Sequence, residues 1–153
     1  MENRYPSVAV LLAAYNGINW IEEQVTSIIS QKNTSIEIFI SVDLSNDKTY
    51  EWCQDFAKEN INIKVLPYGK KFGGAAKNFF RLIRDVDFSR FDYVALADQD
   101  DIWNSGKLHH AIRVIEKDDL DGYSSDVTAF WGNGREKLVK KSFPQKKFDY
   151  FFE

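Results

Sequence analysis

Asp98-Gln99-Asp100-Asp101 places three carboxylates within four residues. Like charges this close repel unless water solvates them or a cation neutralises them. A solvated acidic turn and a cation site both fit the run taken alone. The preceding Tyr93-Val94-Ala95-Leu96-Ala97 reads as a buried strand, so the acids leave a strand end, where ligands gather. Carboxylates there suit a hard cation such as Mg²⁺ or Mn²⁺. Mg²⁺ takes one or two protein carboxylates and completes its shell with water and substrate phosphates, so the chemistry implied is that of a phosphate compound.

Other residues fall at comparable places. Asp43 follows a strand-like run, where its carboxylate can accept from a donor such as a base imide N–H. Asp47 is accounted for as a helix cap. Tyr15 ends the first strand; its ring can stack on a base or serve as an ordinary edge aromatic. Lys70, Lys71 and Lys77 flank a loop containing Gly69, Gly73 and Gly74. Lys77 falls early in a helix, where the dipole disfavours a cation; an anionic ligand would offset that, and so would solvation. No P-loop, no G-x-G-x-x-G after the first strand, no G-x-S-x-G and no H-E-x-x-H occurs.

The elements that must position these residues alternate. Val8–Ala14 is a short apolar run suited to a strand buried on both faces. Ile21, Val25, Ile28 and Ile29 then recur at helical spacing. Ile36–Val42 is a second strand, followed by cap oxygens at Ser45, Asn46 and Asp47 and a helical face of Thr49, Trp52, Cys53, Phe56 and Ala57. Ile61–Leu66 is a third strand, and Ala76, Phe79, Phe80 and Ile83 form one face of a third helix. Phe91–Ala97 is a fourth strand. Leu108, Ala111, Ile112 and Ile115 line a fourth helix, Val127–Trp131 is a fifth strand, and the remainder is irregular. This alternation predicts an α/β fold with a mostly parallel central sheet, one domain over 1–153, and a site at the carboxyl ends of the strands.

Composition narrows the class. Lys+Arg of 20 against Asp+Glu of 23 gives no electrostatic reason to expect nucleic acid as partner. A single cysteine, Cys53, excludes an internal disulfide and a cysteine-based zinc site, and reads as a small buried helix residue. No run is apolar enough to span a bilayer and no secretory leader is recognised, so the expected location is cytoplasmic. The tail carries Phe143, Phe148, Tyr150, Phe151 and Phe152 among lysines, which suggests a partner chain or a peripheral contact with the inner face of the membrane.

In this order the pieces resemble glycosyltransferase family 2, of the GT-A fold, in the bacterial branch that includes rhamnosyltransferases. Ala13-Ala14-Tyr15-Asn16-Gly17 resembles the family's first strand end. Glu23-Gln24-Val25-Thr26-Ser27-Ile28 resembles its first helix, and Ser41 to Thr49 its second strand end (S-D-D-G-S-x-D-x-T). Gly73–Phe79 resembles its basic loop and helix. Ala97-Asp98-Gln99-Asp100-Asp101-Ile102-Trp103 is close to the branch's S-D-Q-D-D-I-W, and this match is the specific one. The resemblance covers roughly residues 7–143.

It implies a Rossmann-like GT-A domain binding a nucleotide-diphospho-sugar donor with Mg²⁺ or Mn²⁺. It also implies inverting transfer to a glycan or lipid-linked acceptor in cell-surface polysaccharide synthesis. By the same resemblance Ala14, Tyr15, Asn16, Asp43, Lys77, Asp98 and Gln99 are the substrate-binding residues, and Asp98 and Asp100 hold the metal. Val42 and Leu44 depart from the usual Asp and Gly, which puts base affinity or nucleotide choice in question. Family members continue well beyond this length, and no general base is assigned. Two alternatives stand beside this reading: a non-catalytic donor-binding module or half of a split enzyme, and a metal-dependent phosphate-transfer enzyme on a similar sheet.

Overall fold

The computed structural model describes residues 4–140. The chain divides into two compact units, Met1–His110 and Ala111–Glu153.

The first unit is built on four parallel strands in the order β3-β2-β1-β4. β1 (Ser7–Ala14) lies between β2 (Ser35–Val42) and β4 (Tyr93–Asp98), and β3 (Ile63–Val65) pairs with the far side of β2. The register puts Ala14 opposite Val42 and Ala13 opposite Asp98, so the carboxyl ends of β1, β2 and β4 come level. The expected double burial of β1 is observed, with Val8 to Leu12 no more than 1% exposed. Each Val, Leu or Ile buried so completely stabilises the fold by roughly 1.5–3 kcal/mol. Ala9, Leu11 and Ala13 point to one face, where they meet Phe39, Leu82 and Val86.

Helix α1 (Ile21–Ile29) follows β1, α2 (Thr49–Glu59) follows β2, and α3 (Ala75–Asp85) follows β3 and packs on β1 and β2. α4 (Lys107–Asp118) follows the acidic turn. In the second unit β5 (Val127–Phe130) pairs antiparallel with β6 (Glu136–Val139) around a turn whose Gly134 is left-handed.

Four expectations are corrected. The third strand is shorter than Ile61–Leu66, because Ile61 is 92% exposed and outside the ladder. β4 is not a buried strand: among the described residues it ends the sheet, and Val94 and Leu96 are 45% and 55% exposed, with only Ala97 of the strand buried. The third helix does not bury Ala76, Phe80 and Ile83. Its inward face is Asn78, Arg81 and Leu82, with Phe79 half-buried. The inward polar groups are paired, which makes their burial tolerable. Asn78 Nδ2 donates to the Ser41 and Ala14 carbonyls, Ser41 Oγ donates to Asn78 Oδ1, and Arg81 donates to Ser41 Oγ and the Pro67 carbonyl. Finally, part of the segment read as irregular forms β6. The aromatic tail from Phe143 onward lies outside the described residues.

Candidate active site

At the carboxyl edge of the sheet a cleft of about 480 Å³ opens. Ala14, Tyr15, Asp43, Asp98, Gln99 and Asp100 line it together with Lys71, the 73–75 turn and Asn78. Its volume falls within the range of small-molecule sites. The strand ends therefore bring together residues more than eighty positions apart in sequence, such as Tyr15 and Gln99. Asn16 and Lys77 are not in the lining. Asn16, left-handed at φ 47°, accepts from Asn46 N–H through Oδ1 at 2.9 Å and ties the loop after β1 to the loop after β2. Lys77 is exposed on α3. Lys71, from the glycine loop, is the lysine that lines the cleft.

Asp43 is held by backbone. Its Oδ1 accepts from Leu44 and Phe72 N–H at 2.7 Å each, and Oδ2 accepts from Gly73 N–H at 2.8 Å. Burial pushes this carboxyl up. The N–H groups of Phe72, Gly73, Leu44 and Gly74 outweigh it and hold the carboxyl below the ordinary aspartate value. The bonds fold the glycine loop over the cleft, and Gly73 and Gly74 supply the left-handed φ of 77° and 154° that the turn requires. Asp47 works nearby. Its Oδ1 accepts Thr49 N–H at 3.0 Å and its Oδ2 accepts Ile18 N–H at 3.2 Å, joining the start of α2 to the loop after β1.

The acidic turn is supported from behind by α1 and the residues just after it. Gln24 Nε2 donates to the Asp98 carbonyl at 2.8 Å, Ser27 Oγ accepts from Trp103 N–H at 2.9 Å, and Gln31 Nε2 donates to the Asn104 carbonyl at 2.8 Å. Gln31 Oε1 also accepts from Leu108 N–H. All three side chains are buried. The apolar stripe and the Glu23–Ile28 resemblance do not assign these side chains a role. The missed signal is Gln24 and Ser27, polar residues at i and i+3 on the inward face of α1, and Gln31 just past its end.

The carboxylates of the turn differ in environment. Partial desolvation raises Asp98, and its neighbours Asp101 and Asp100 add to this. Desolvation also raises Asp101, where Lys107 pulls the other way. Lys107 sits 4.3 Å from the Trp103 ring centroid, beside Asp101. Among the described residues no group of three or more His, Cys, Asp or Glu side chains converges. The protein thus offers Asp98 and Asp100 at the cleft, and a hard cation there would need phosphate and water to complete its shell, the usual habit of Mg²⁺. The mutual repulsion of the turn's carboxylates is what such a cation would relieve, so the donor set fits.

Solved structures place this architecture. The chain matches TarS of S. aureus in complex with UDP-GlcNAc at a TM-score of 0.62 and 23% identity, over 72% of this chain and 31% of that one. It matches the mannosyltransferase PcManGT of Pyrobaculum calidifontis, in complex with GDP-Man and Mn²⁺, at 0.62 and 21%, over 73% of this chain and 33% of that one. The fold is the α/β GT-A fold expected from the sequence. Residues 9–152 match the profile of Glycosyl transferase family 2, and the chain belongs to that family. It is 50% identical to the dTDP-rhamnosyl transferase RfbG of Shigella flexneri over 143 residues, covering 93% of this chain and 50% of that protein. The chain thus spans half the length of that relative.

Proposed function

We propose that this chain carries the donor-binding part of a glycosyltransferase, with residues 1–153 as its nucleotide-sugar domain and the acceptor region largely beyond them. The enzyme takes a sugar from a nucleotide-diphospho-sugar and passes it, with inversion, to a glycan or lipid-linked acceptor in cell-surface polysaccharide synthesis. The proposed location is the cytoplasm, at the inner face of the membrane. The observation that carries the reading is the convergence of Tyr15, Asp43, Asp98 and Asp100 on one cleft at the carboxyl edge of a parallel sheet. The likeness to a dTDP-rhamnosyl transferase makes dTDP the first nucleotide to test.

In this reading the Tyr15 ring stacks on the base, and Asp43 holds the glycine loop and faces the base edge. Lys71 approaches the diphosphate. Asp98 and Asp100 hold Mg²⁺ or Mn²⁺, which when bound supplies Lewis-acid neutralisation of the leaving diphosphate. Asn16 and Lys77 act from outside the cleft, Asn16 through the loop it ties and Lys77 through its charge near the start of α3.

Calorimetric titration of the chain with dTDP, UDP and GDP, each with and without Mg²⁺ or Mn²⁺, tests the proposal. Metal-dependent binding of at least one is expected; absence of metal-dependent binding to all three overturns it. Asp100→Ala is expected to weaken metal-dependent binding roughly tenfold or more, about 1.4 kcal/mol. A second reading, donor binding without transfer by a module or half-enzyme, stands beside the first because no general base is assigned among these residues. Binding without sugar release or transfer would select it.

A further inference from the structure

We infer that Gln99 is a positioning residue that sets the span between the Tyr15 ring and the carboxylates of the acidic turn, and that Gly17 is glycine in order to admit it. Both ends of the Gln99 amide are engaged by one residue. Oε1 accepts from Tyr15 N–H at 2.6 Å, and Nε2 donates to the Tyr15 carbonyl at 2.8 Å. This two-point contact fixes the plane of the amide and the peptide groups on both sides of Tyr15. Tyr15 is 52% exposed and its ring makes no stacking contact among the described residues, so its placement depends on this backbone grip.

The space at Gly17 bears on the same side chain. Gly17 is buried and its φ is not left-handed, so backbone freedom does not account for it. A Cβ added there would lie 2.7 Å from Gln99 Cδ and 3.2 Å from Cγ, inside the room a side chain needs. The glycine leaves a channel through which Gln99 reaches Tyr15. On the other side, Gln24 Nε2 holds the Asp98 carbonyl at 2.8 Å. The residue between the two carboxylates is therefore located from both α1 and the loop after β1. Both ends of the amide are taken up by the Tyr15 backbone, so its action on a ligand in the cleft is expected to pass through Tyr15.

The inference rests on the donor-site reading, and the test keeps the two apart. Gly17→Ala, Gln99→Ala, Gln99→Glu and the Gly17→Ala/Gln99→Ala double variant are titrated, as the full chain, with dTDP and with inorganic pyrophosphate in the presence of Mn²⁺. Melting temperatures are recorded alongside. Gln99→Ala is expected to weaken dTDP about tenfold while changing pyrophosphate less than about twofold, because the ring moves and the carboxylates do not. Gln99→Glu does not rescue, since it removes the donor to the Tyr15 carbonyl. Gly17→Ala alone weakens dTDP to a similar degree, but adds nothing in the Gln99→Ala background, where the crowding is gone. Multiplying losses in the double variant, or equal losses for dTDP and pyrophosphate, would overturn the positioning role. Wild-type chain that binds no nucleotide with metal would instead overturn the donor-site reading itself.

Discussion

Charge and hydrogen bonding at single residues decide what this site can hold. Asp43 accepts backbone N–H groups on both oxygens, so an isosteric amide cannot replace it. Asp43→Asn turns one acceptor into a donor facing a donor, and the unmet N–H groups should cost about 1–3 kcal/mol. Chemical denaturation of the variant checks that figure, and nucleotide affinity should fall with it. Cys53 illustrates the opposite case. It is fully buried, and burial, with Asp47 nearby, pushes its thiol up to about 12. A thiol reagent should therefore leave the native chain unlabelled and react only after denaturation. At this scale the sequence was informative where an acid follows a strand, as at Asp43 and Asp98. It gave no role to Gln24, Ser27 and Gln31, because polar residues on or beside a buried helix face look like interruptions of the stripe until their partners are known.

Among the elements, α3 separates pattern from packing. Its aromatic positions suggest Phe80 and Ile83 as core, yet the face that meets β1 and β2 is Asn78, Arg81 and Leu82. Leu82→Ala should destabilise by about 2–5 kcal/mol, since a fully buried leucine leaves a cavity. Phe80→Ala should change stability by no more than about 0.5 kcal/mol, as expected of a side chain 56% exposed. Equal losses in thermal melts would restore the aromatic face to the core. Apolar periodicity was reliable for β1 and, apart from the exposed Ile29, for α1, where core residues also carry the pattern. It failed on α3 because a paired asparagine and arginine took the inward positions. β6 went unseen because Glu136–Val139 is four residues long, exposed throughout, and has no alternation to read.

For the whole molecule, carboxylate placement sets the response to acid. Asp92 is held at about 2 by the Ser7 hydroxyl and N–H, with Arg4 adding to them. Glu37 is desolvated, but Lys64 and Arg90 hold it below its ordinary value. Both folded-state values lie below the unfolded ones, so their stabilisation is full above the unfolded range and is lost as pH falls through the folded values. Asp92→Asn should thus be less stable than the parent at neutral pH, with the difference closing as the pH approaches about 2; urea denaturation across that range measures it. The sheet order has a further consequence, in time. β1 has β2 as a partner soon after both leave the ribosome, but its other edge must wait for β4. About 50 residues separate those two strands, which at about 5–20 residues per second is a delay of about 3 to 10 s. Through that interval one side of the most apolar strand is bare, and the cleft has no acidic wall. On the proposed donor-site reading, nucleotide capture during synthesis would have to wait until the sheet is complete.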